Sequence, residues 1–462
     1  MHSNFMKLKA FYALLLGTSL LSAPSMAQTK VAATATKPAA APGRIKFTEY
    51  DLANGLHVIL HEDHATPIVT VSVMYHVGSK NEDPQRTGFA HFFEHLLFEG
   101  SENIGRGEYM KLVQANGGQL NANTSQDRTF YFETLPSNQL ELALWMESER
   151  MFQAKIDDIG VETQRKVVKE EKKQSFDNRP YGQLLNVVFD NLFTKHPYRW
   201  SPIGKEQYID QAKIEEFMEF YKTFYVPNNA VLVIGGDITE SQTKALVEKY
   251  FATIPKGTKA IPRPTEVEPV QTAEKRTTFY DNVQLPAVIF AYHGAAMGTD
   301  DFYALQLLNQ LLSQGKSSRF QKEIVDKQQK ALAVGAFALP NEQPGAVMMF
   351  GIANMGVKPE ELEKIMDDEI AKVLAAPLGD AEYKKLMNQA ENDFISQNSR
   401  VAGIVENLAT NYTYFRDANL INTELGHYTK ITKEDLQRVA KKYFTKENRL
   451  VVYYLPKSEE KK

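Results

Sequence analysis

The chain has 462 residues, a formal net charge of −4 and no cysteine, so disulfide frameworks and thiolate metal sites are excluded. The length suits two domains of ordinary size, and the mildly acidic balance argues against nucleic-acid or anionic-membrane partners. No later apolar run reaches the length of a membrane span, so the mature chain is expected to have none.

The N-terminus has the pattern of a secretion signal. Lys7 and Lys9 precede an apolar segment, 10–21, that is too short to cross a bilayer, and Ser25-Met26-Ala27 fits a small-x-small cleavage site. We therefore expect a signal peptide over 1–27, cleaved after Ala27, with a retained N-terminal anchor as the alternative. Residues 28–43 are rich in Ala, Thr and Pro and predict a disordered lead-in. Export without any cysteine suits the periplasm.

Two segments of the chain have the same order of patterns. Each opens with β-type runs, continues into an apolar-periodic helix and closes with helix, turn and strand. In the first segment the β-type runs are 55–60 and 68–75, the helix is 89–98 and the closing unit is 214–237. In the second segment the corresponding ranges are 287–292, 302–312 and 434–456. This order predicts an α+β fold of two homologous modules, each a mostly antiparallel sheet backed by helices. The modules are expected over 44–255 and 276–462, joined by a Pro- and charge-rich linker over 256–275. A chance match of helix, turn and strand is the alternative.

The most informative segment reads His91-Phe-Phe-Glu94-His95. Histidines four residues apart project from one face of a helix, which gives the spacing a catalytic zinc needs, with a carboxylate base beside them. Two core histidines satisfied by backbone carbonyls would be the structural alternative. Further along, Glu171 follows Val167 and Val168 in a stretch of helix formers, where it is either an inward-facing ligand or part of a solvated charged face.

The two segments together resemble the pitrilysin and mitochondrial-processing-peptidase family of zinc proteases, which are inverzincins with an HxxEH motif. Gln164-Arg-Lys-Val-Val-Lys-Glu-Glu171 fits the family's E-R-x-V-V-x-E-E stretch except at its first position. The resemblance implies that His91, His95 and Glu171 bind one Zn²⁺ per chain and that Glu94 is the general base. Gln164 replaces a glutamate that supports the metal, so that negative charge is absent from position 164.

A second stretch, 117–132, resembles the family segment in which an exposed edge strand pairs with the substrate backbone. The resemblance implies substrate contacts at Asn121, Ala122 and Asn123, whereas an ordinary hairpin arm is the alternative. His61 and His64 also have a metal-like spacing, but we interpret them as part of a polar loop before Pro67.

The C-terminal module departs from the family pattern. Single-chain and α-type members have an Arg and a Tyr there that contact the substrate, and this chain aligns Val325 and Leu332 with those two positions. Neither side chain can donate a hydrogen bond. We therefore expect a heterodimer with a related subunit that supplies the pair; a homodimer without it, or a shift of the alignment around 328–330, is the alternative.

The resemblance thus implies a zinc-dependent endopeptidase that cleaves peptides or unfolded segments inside a closed chamber. The competing hypothesis is a non-catalytic assembly or binding subunit with a vestigial zinc site. A processing enzyme dedicated to a single protein substrate is a third possibility.

Overall fold

The computed structural model describes residues 44–460. The signal peptide expected over 1–27 and the lead-in expected over 28–43 lie outside the described residues. Within the described part of the chain, no helix is both long enough and apolar enough to cross a membrane. The described residues form two sheets, each backed by helices, and this confirms the predicted fold class.

Six strands form the N-terminal sheet: β1 (Thr48–Asp51), β2 (His57–Glu62), β3 (Ile68–Tyr75), β4 (Gln119–Thr124), β5 (Thr129–Pro136) and β6 (Ala230–Gly236). Their order is β1-β2-β6-β3-β5-β4, and all neighbours are antiparallel except β2 and β6. The central strand β6 is buried along its whole length, as its run of Val, Leu and Ile predicts. At one end of the sheet, β4 pairs with β5 alone among the described strands and is an edge strand.

The helices of the N-terminal module are α1 (Phe89–Leu96), α2 (Glu108–Ala115), α3 (Leu140–Phe152), α4 (Asp158–Lys172), α5 (Leu184–Leu192), α6 (Glu206–Gln211), α7 (Ile214–Phe224) and α8 (Glu240–Phe251). Helix α4 begins after Asp157 because the Asp157 carboxylate accepts a hydrogen bond from the Gly160 amide at 2.7 Å. It continues into a π-helical turn, Lys173–Asp177.

The C-terminal sheet has five strands: β7 (Lys275–Asp281), β8 (Ala287–His293), β9 (Ala331–Ala338), β10 (Ala346–Ala353) and β11 (Arg449–Pro456). Their order is β7-β11-β8-β10-β9, with only β7 and β11 parallel. This repeats β2-β6-β3-β5-β4 strand for strand, so the predicted duplication is confirmed by the topology. The module's helices are α9 (Asp300–Ser313), α10 (Pro359–Ala375), α11 (Asp380–Gln397), α12 (Val401–Phe415), α13 (Leu420–Thr423), α14 (Leu425–Thr429) and α15 (Lys433–Tyr443).

Each sheet is covered on its second face by a helix from the other module. Helix α12 packs Val405 and Leu408 into a core with Ile59 and Val233 of the N-terminal sheet. Helix α5 of the N-terminal module in turn packs against the C-terminal sheet, in a core that includes Ile289 and Met348. This reciprocal burial of apolar surface holds the two modules together, and the cavity described below lies between them.

The segment between α8 and β7 contains no helix or strand, and the linker expected over 256–275 falls on it except for Lys275, which begins β7. It is nevertheless tied to the N-terminal module. Arg263 donates hydrogen bonds to the His76 carbonyl at 2.5 Å and to Asn229 Oδ1 at 2.6 Å. Glu268 accepts hydrogen bonds from three successive backbone amides, 194–196.

Candidate metal centre and active-site cavity

Helix α1 carries His91, Glu94 and His95 on one face, and aromatic packing fixes its opposite face. The Phe92 ring stacks on Phe217 of α7 with 4.8 Å between ring centroids. Both phenylalanines are fully buried. The buried apolar face therefore fixes which side of this short helix is turned towards the cavity.

His91, His95 and Glu171 converge at one point. The Nε2 atom of His95 lies 3.0 Å from Glu171 Oε2, and the Nε2 atom of His91 lies 3.5 Å from the same oxygen. Ligands at zinc bond lengths of about 2.0–2.1 Å in a tetrahedron are about 3.3 Å apart, so these separations match those of zinc ligands. Among the described residues, this is the one group of three His, Asp or Glu side chains close enough to share an ion.

The environment of these side chains fits a metal. Glu171 Oε2 is buried against the ring nitrogens of His91 and His95, and burying a carboxylate oxygen is costly unless positive charge lies against it. Burial lowers the pKa of His91, so its ring is neutral near pH 7, the form that binds a metal. Burial also opposes charging of His95, but the hydrogen bond and charge of Glu171 outweigh it and raise the pKa of His95. Two imidazoles and one carboxylate are the donor set of many catalytic zinc sites.

Glu94 is held beside this group by β4. Thr124, the last residue of the strand, donates a hydrogen bond from Oγ1 to Glu94 Oε2 at 2.7 Å. Both residues border a cavity of about 290 Å³ that also reaches His91 and Glu171. Its walls are largely apolar and come from both modules, including Phe176, Leu185, Phe189, Ile203, Phe337, Leu339 and Tyr414. The sequence did not indicate the role of Thr124, since a threonine that ends a strand is unremarkable there.

A buried carboxylate lies behind Gln164, although position 164 itself carries no charge. The Gln164 amide donates from Nε2 to Oε1 of Glu99, whose other oxygen pairs with Arg106. Arg106 also donates to both carboxylate oxygens of Asp157 at 2.9 and 3.1 Å. Glu99 is 5% exposed. The sequence did not indicate the role of Glu99, which is there a single acidic residue in the turn after α1.

Asn121, Ala122 and Asn123 lie in the middle of the edge strand β4. Asn121 is exposed, Ala122 is buried against the helices, and Asn123 borders the cavity. Asn123 Oδ1 accepts a hydrogen bond from Arg128. Among the described residues the outer edge of β4 has no strand partner, and this edge lies close to the candidate metal centre.

Val325 and Leu332 lie away from this cavity. Val325 is partly buried in the π-helical segment Gln321–Lys327, and Leu332 is 60% exposed on the edge strand β9. Neither residue borders the cavity. Arg128 and Tyr414 do border it, but the Arg128 guanidinium is 5% exposed and bonded to Glu406 at 3.1 Å.

His61 and His64 do not form a metal pair. His61 is still part of β2, is buried and bonds to the Lys46 carbonyl at 2.7 Å. His64 lies in the following turn, is exposed and bonds to Asp237 at 2.7 Å and to Glu62 at 3.0 Å.

The C-terminal module has amides at the positions that correspond to the metal centre. The sequence 306-QLLNQLLSQG-315 in and after α9 matches 91-HFFEHLLFEG-100 position by position, with two leucines and the glycine in common. Asp393 occupies the same place in α11 as Glu171 occupies in α4. It accepts hydrogen bonds from Gln310 at 3.1 Å and Gln314 at 2.7 Å. Hydrogen bonds thus link the helices of the C-terminal module at the place where the three candidate ligands converge in the N-terminal module.

Comparison with known families agrees with a candidate site in the N-terminal module and none in the C-terminal module. A family model described as insulinase (peptidase family M16) matches residues 57–203, and one described as the peptidase M16 inactive domain matches residues 211–390. The zinc protease PqqE of Helicobacter pylori is 31% identical over 414 residues, which are 89% of this chain and 93% of that protein. The chain belongs to peptidase family M16. The resemblance inferred from the sequence is therefore confirmed.

Solved structures share the M16 fold along most of this chain. The crystal structure of a protease from Helicobacter pylori has a TM-score of 0.86 at 30% identity and covers 89% of this chain and 100% of that chain. The periplasmic protease PqqL from Escherichia coli has a TM-score of 0.73 at 18% identity and covers 90% of this chain but 48% of its own. The M16 module pair described above thus corresponds to about half of that longer protein.

Proposed function

We propose that this M16 protein is a zinc-dependent endopeptidase that cleaves peptides or unfolded segments in a closed chamber. The observation that carries the proposal is the convergence of His91, His95 and Glu171 beside Glu94, at the edge of an apolar cavity. One zinc ion per chain is expected, because the matching positions of the C-terminal module are occupied by amides and an aspartate already engaged with them.

Different residues of the chain bind the metal, transfer the proton and orient the base. A zinc ion held by the three ligands would act as a Lewis acid towards water and the scissile carbonyl. Glu94 accepts the proton of the attacking water and returns it to the leaving amine. The hydrogen bond from Thr124 fixes the orientation of the Glu94 carboxylate, so that one oxygen remains directed to the reaction.

The substrate is an extended peptide added to the edge of β4, where backbone groups of 121–123 pair with it. Such pairing holds the peptide straight across the metal centre and accepts many sequences, because it reads backbone and not side chains. The apolar walls of the cavity then favour a large apolar side chain next to the scissile bond.

A partner subunit completes the site. Val325 and Leu332 lack hydrogen-bond donors and lie away from the cavity, and the buried Arg128 is already paired with Glu406. A related chain carrying the Arg and Tyr pair would close the chamber and polarise the substrate carbonyl, as a heterodimer. A homodimer that works without the pair is the alternative. The secretion-signal pattern at the N-terminus supports a periplasmic assembly, with cleavage after Ala27.

The test combines metal analysis with peptide turnover. Protein purified with its native partner should contain about one zinc per chain and cleave unfolded polypeptides, lose cleavage after chelation and regain it with added zinc. The chain purified alone should bind zinc but cleave slowly, and its mass in solution with and without the partner identifies the assembly. Zinc binding without turnover in any assembly would favour the non-catalytic subunit, to which the absent Arg and Tyr pair also points.

A further inference from the structure

Gln164 lies between a metal ligand and a buried carboxylate. An ionised Glu99 can only accept hydrogen bonds, so the Gln164 atom that meets it is the donor Nε2. This contact determines which end of the amide faces Glu99, so the Gln164 oxygen Oε1 points away from Glu99. That oxygen is buried and has no hydrogen-bond partner. Glu99 follows His95 by four residues, and Gln164 precedes Glu171 by two helical turns on α4, so the pair lies next to His95; Gln164 is also among the groups that raise the pKa of His95.

The position of Glu99 is itself fixed. Its second oxygen pairs with Arg106, and Arg106 is bound on its far side by Asp157, the residue that caps helix α4. Because α4 carries both Gln164 and Glu171, this chain of contacts ties the end of α1 to the helix that supplies the third ligand. Glu99, Arg106 and Asp157 together carry one negative charge, and the neutral Gln164 amide contacts this group through Glu99.

The C-terminal module supports this interpretation of the position. Gln314, the counterpart of Glu99, also reaches across to the second helix and donates to Asp393 at 2.7 Å. In both modules, therefore, the residue four places after the second ligand position joins the two helices of the site.

We propose that Glu99 is a positioning residue of the metal centre, which acts through Gln164 to orient His95 and supplies the negative charge that position 164 lacks. The proposal rests on the zinc site of the proposed function. It implies that the charge can be moved between positions 99 and 164 without loss of the site, provided one carboxylate remains. A carboxylate that supports a ligand in this way commonly changes metal affinity by about 10- to 100-fold.

The test is a zinc titration of the full chain against a competing chromogenic chelator. It is carried out in Glu94→Gln protein, so that it does not depend on turnover. Glu99→Gln should weaken zinc binding by about 10- to 100-fold, and the exchange Glu99→Gln with Gln164→Glu should restore it to within about threefold. Gln164→Glu alone is unsuitable, since it places two carboxylates in contact.

Glu149→Gln is the matched control. Glu149 is also a buried carboxylate near α1, 6% exposed, but it holds Ser101 and Asn103 and has no contact with Gln164. It should lower the melting temperature and leave zinc affinity unchanged. The positioning role would be overturned if Glu99→Gln bound zinc as tightly as the Glu94→Gln parent. It would also be overturned if the exchange of Glu99→Gln with Gln164→Glu bound zinc no more tightly than Glu99→Gln alone. Protein with Glu94 intact that binds zinc but cleaves nothing, even with its partner, would overturn the proposed function alone.

Discussion

Replacing Lys80 with methionine should cost more stability than any ordinary surface substitution, because Lys80 joins the two modules inside the protein. Its side chain is 3% exposed, lies 2.8 Å from Asp127 Oδ1 and also pairs with Glu342 of the C-terminal module. Asp127 is 1% exposed and accepts hydrogen bonds at 3.1 Å from the Asn341 side chain and from the Glu342 backbone. Lys80→Met therefore leaves a buried carboxylate without its cation.

Breaking a buried pair in this way costs about 3–5 kcal/mol. With an unfolding entropy of about 2.1 cal/mol/K per residue, a 462-residue chain that unfolds as one unit has on the order of 1 kcal/mol/K, so the melting temperature should fall by about 4 °C. Differential scanning calorimetry measures this shift. The double variant Lys80→Met with Asp127→Asn should recover part of the loss, because the fully buried position 127 then carries no unpaired charge.

Lys111→Met provides the comparison, since Lys111 is 70% exposed and pairs only with Glu108 on the same helix. Its effect should stay within about 0.5 kcal/mol. If Lys80→Met costs no more than Lys111→Met, the inter-module pair does not stabilise the fold and the reasoning fails.

Three further predictions follow from the site and its surroundings. His91→Ala should abolish zinc binding by metal analysis, whereas His64→Ala should retain the full amount, because His64 bonds only to surface carboxylates. Leu185→Lys, at the cavity wall, should shift the cleavage preference from apolar towards acidic side chains in a peptide library, and an unchanged preference would show that this wall does not contact substrate. Burial raises the pKa of Glu342, but hydrogen bonding and charge from His76 and Lys80 lower it overall to about 2. The stability that ionised Glu342 contributes is therefore complete above pH 4.5 and lost as the pH falls towards 2. In urea unfolding, the difference in free energy of unfolding between wild type and Glu342→Gln should shrink as the pH falls over that interval.

Much of the fold could be predicted from the sequence, because the local hydrophobic pattern of each element agrees with its place in the sheet topology. The strand over 68–75 and the helix from Phe89 follow from alternation and apolar periodicity, and the repeated order of elements predicted two like modules. The packing of α12 on the N-terminal sheet and of α5 on the C-terminal sheet was not predictable. A periodic apolar face shows that a helix is buried, but not which sheet it covers.

The candidate site divides in the same way. His91, Glu94 and His95 could be named because their spacing is local, and Glu171 because its flanking residues have a recognisable pattern. Glu99 lies far from Gln164 in the chain, and a lone acidic residue in a turn has no signature of its role. The amide counterpart of the site was not identified from the sequence, although the two leucines and the glycine of 306–315 have the spacing found in 91–100.

The central claim is that Glu94 performs the proton transfer at a zinc site formed by His91, His95 and Glu171. The most direct measurement compares Glu94→Gln with wild-type protein for zinc content and for peptide turnover in the same assembly. The account predicts about one zinc per chain in both proteins and a loss of at least about 10²–10⁴-fold in kcat for the variant. Turnover by Glu94→Gln at the wild-type rate, with zinc present, would contradict it.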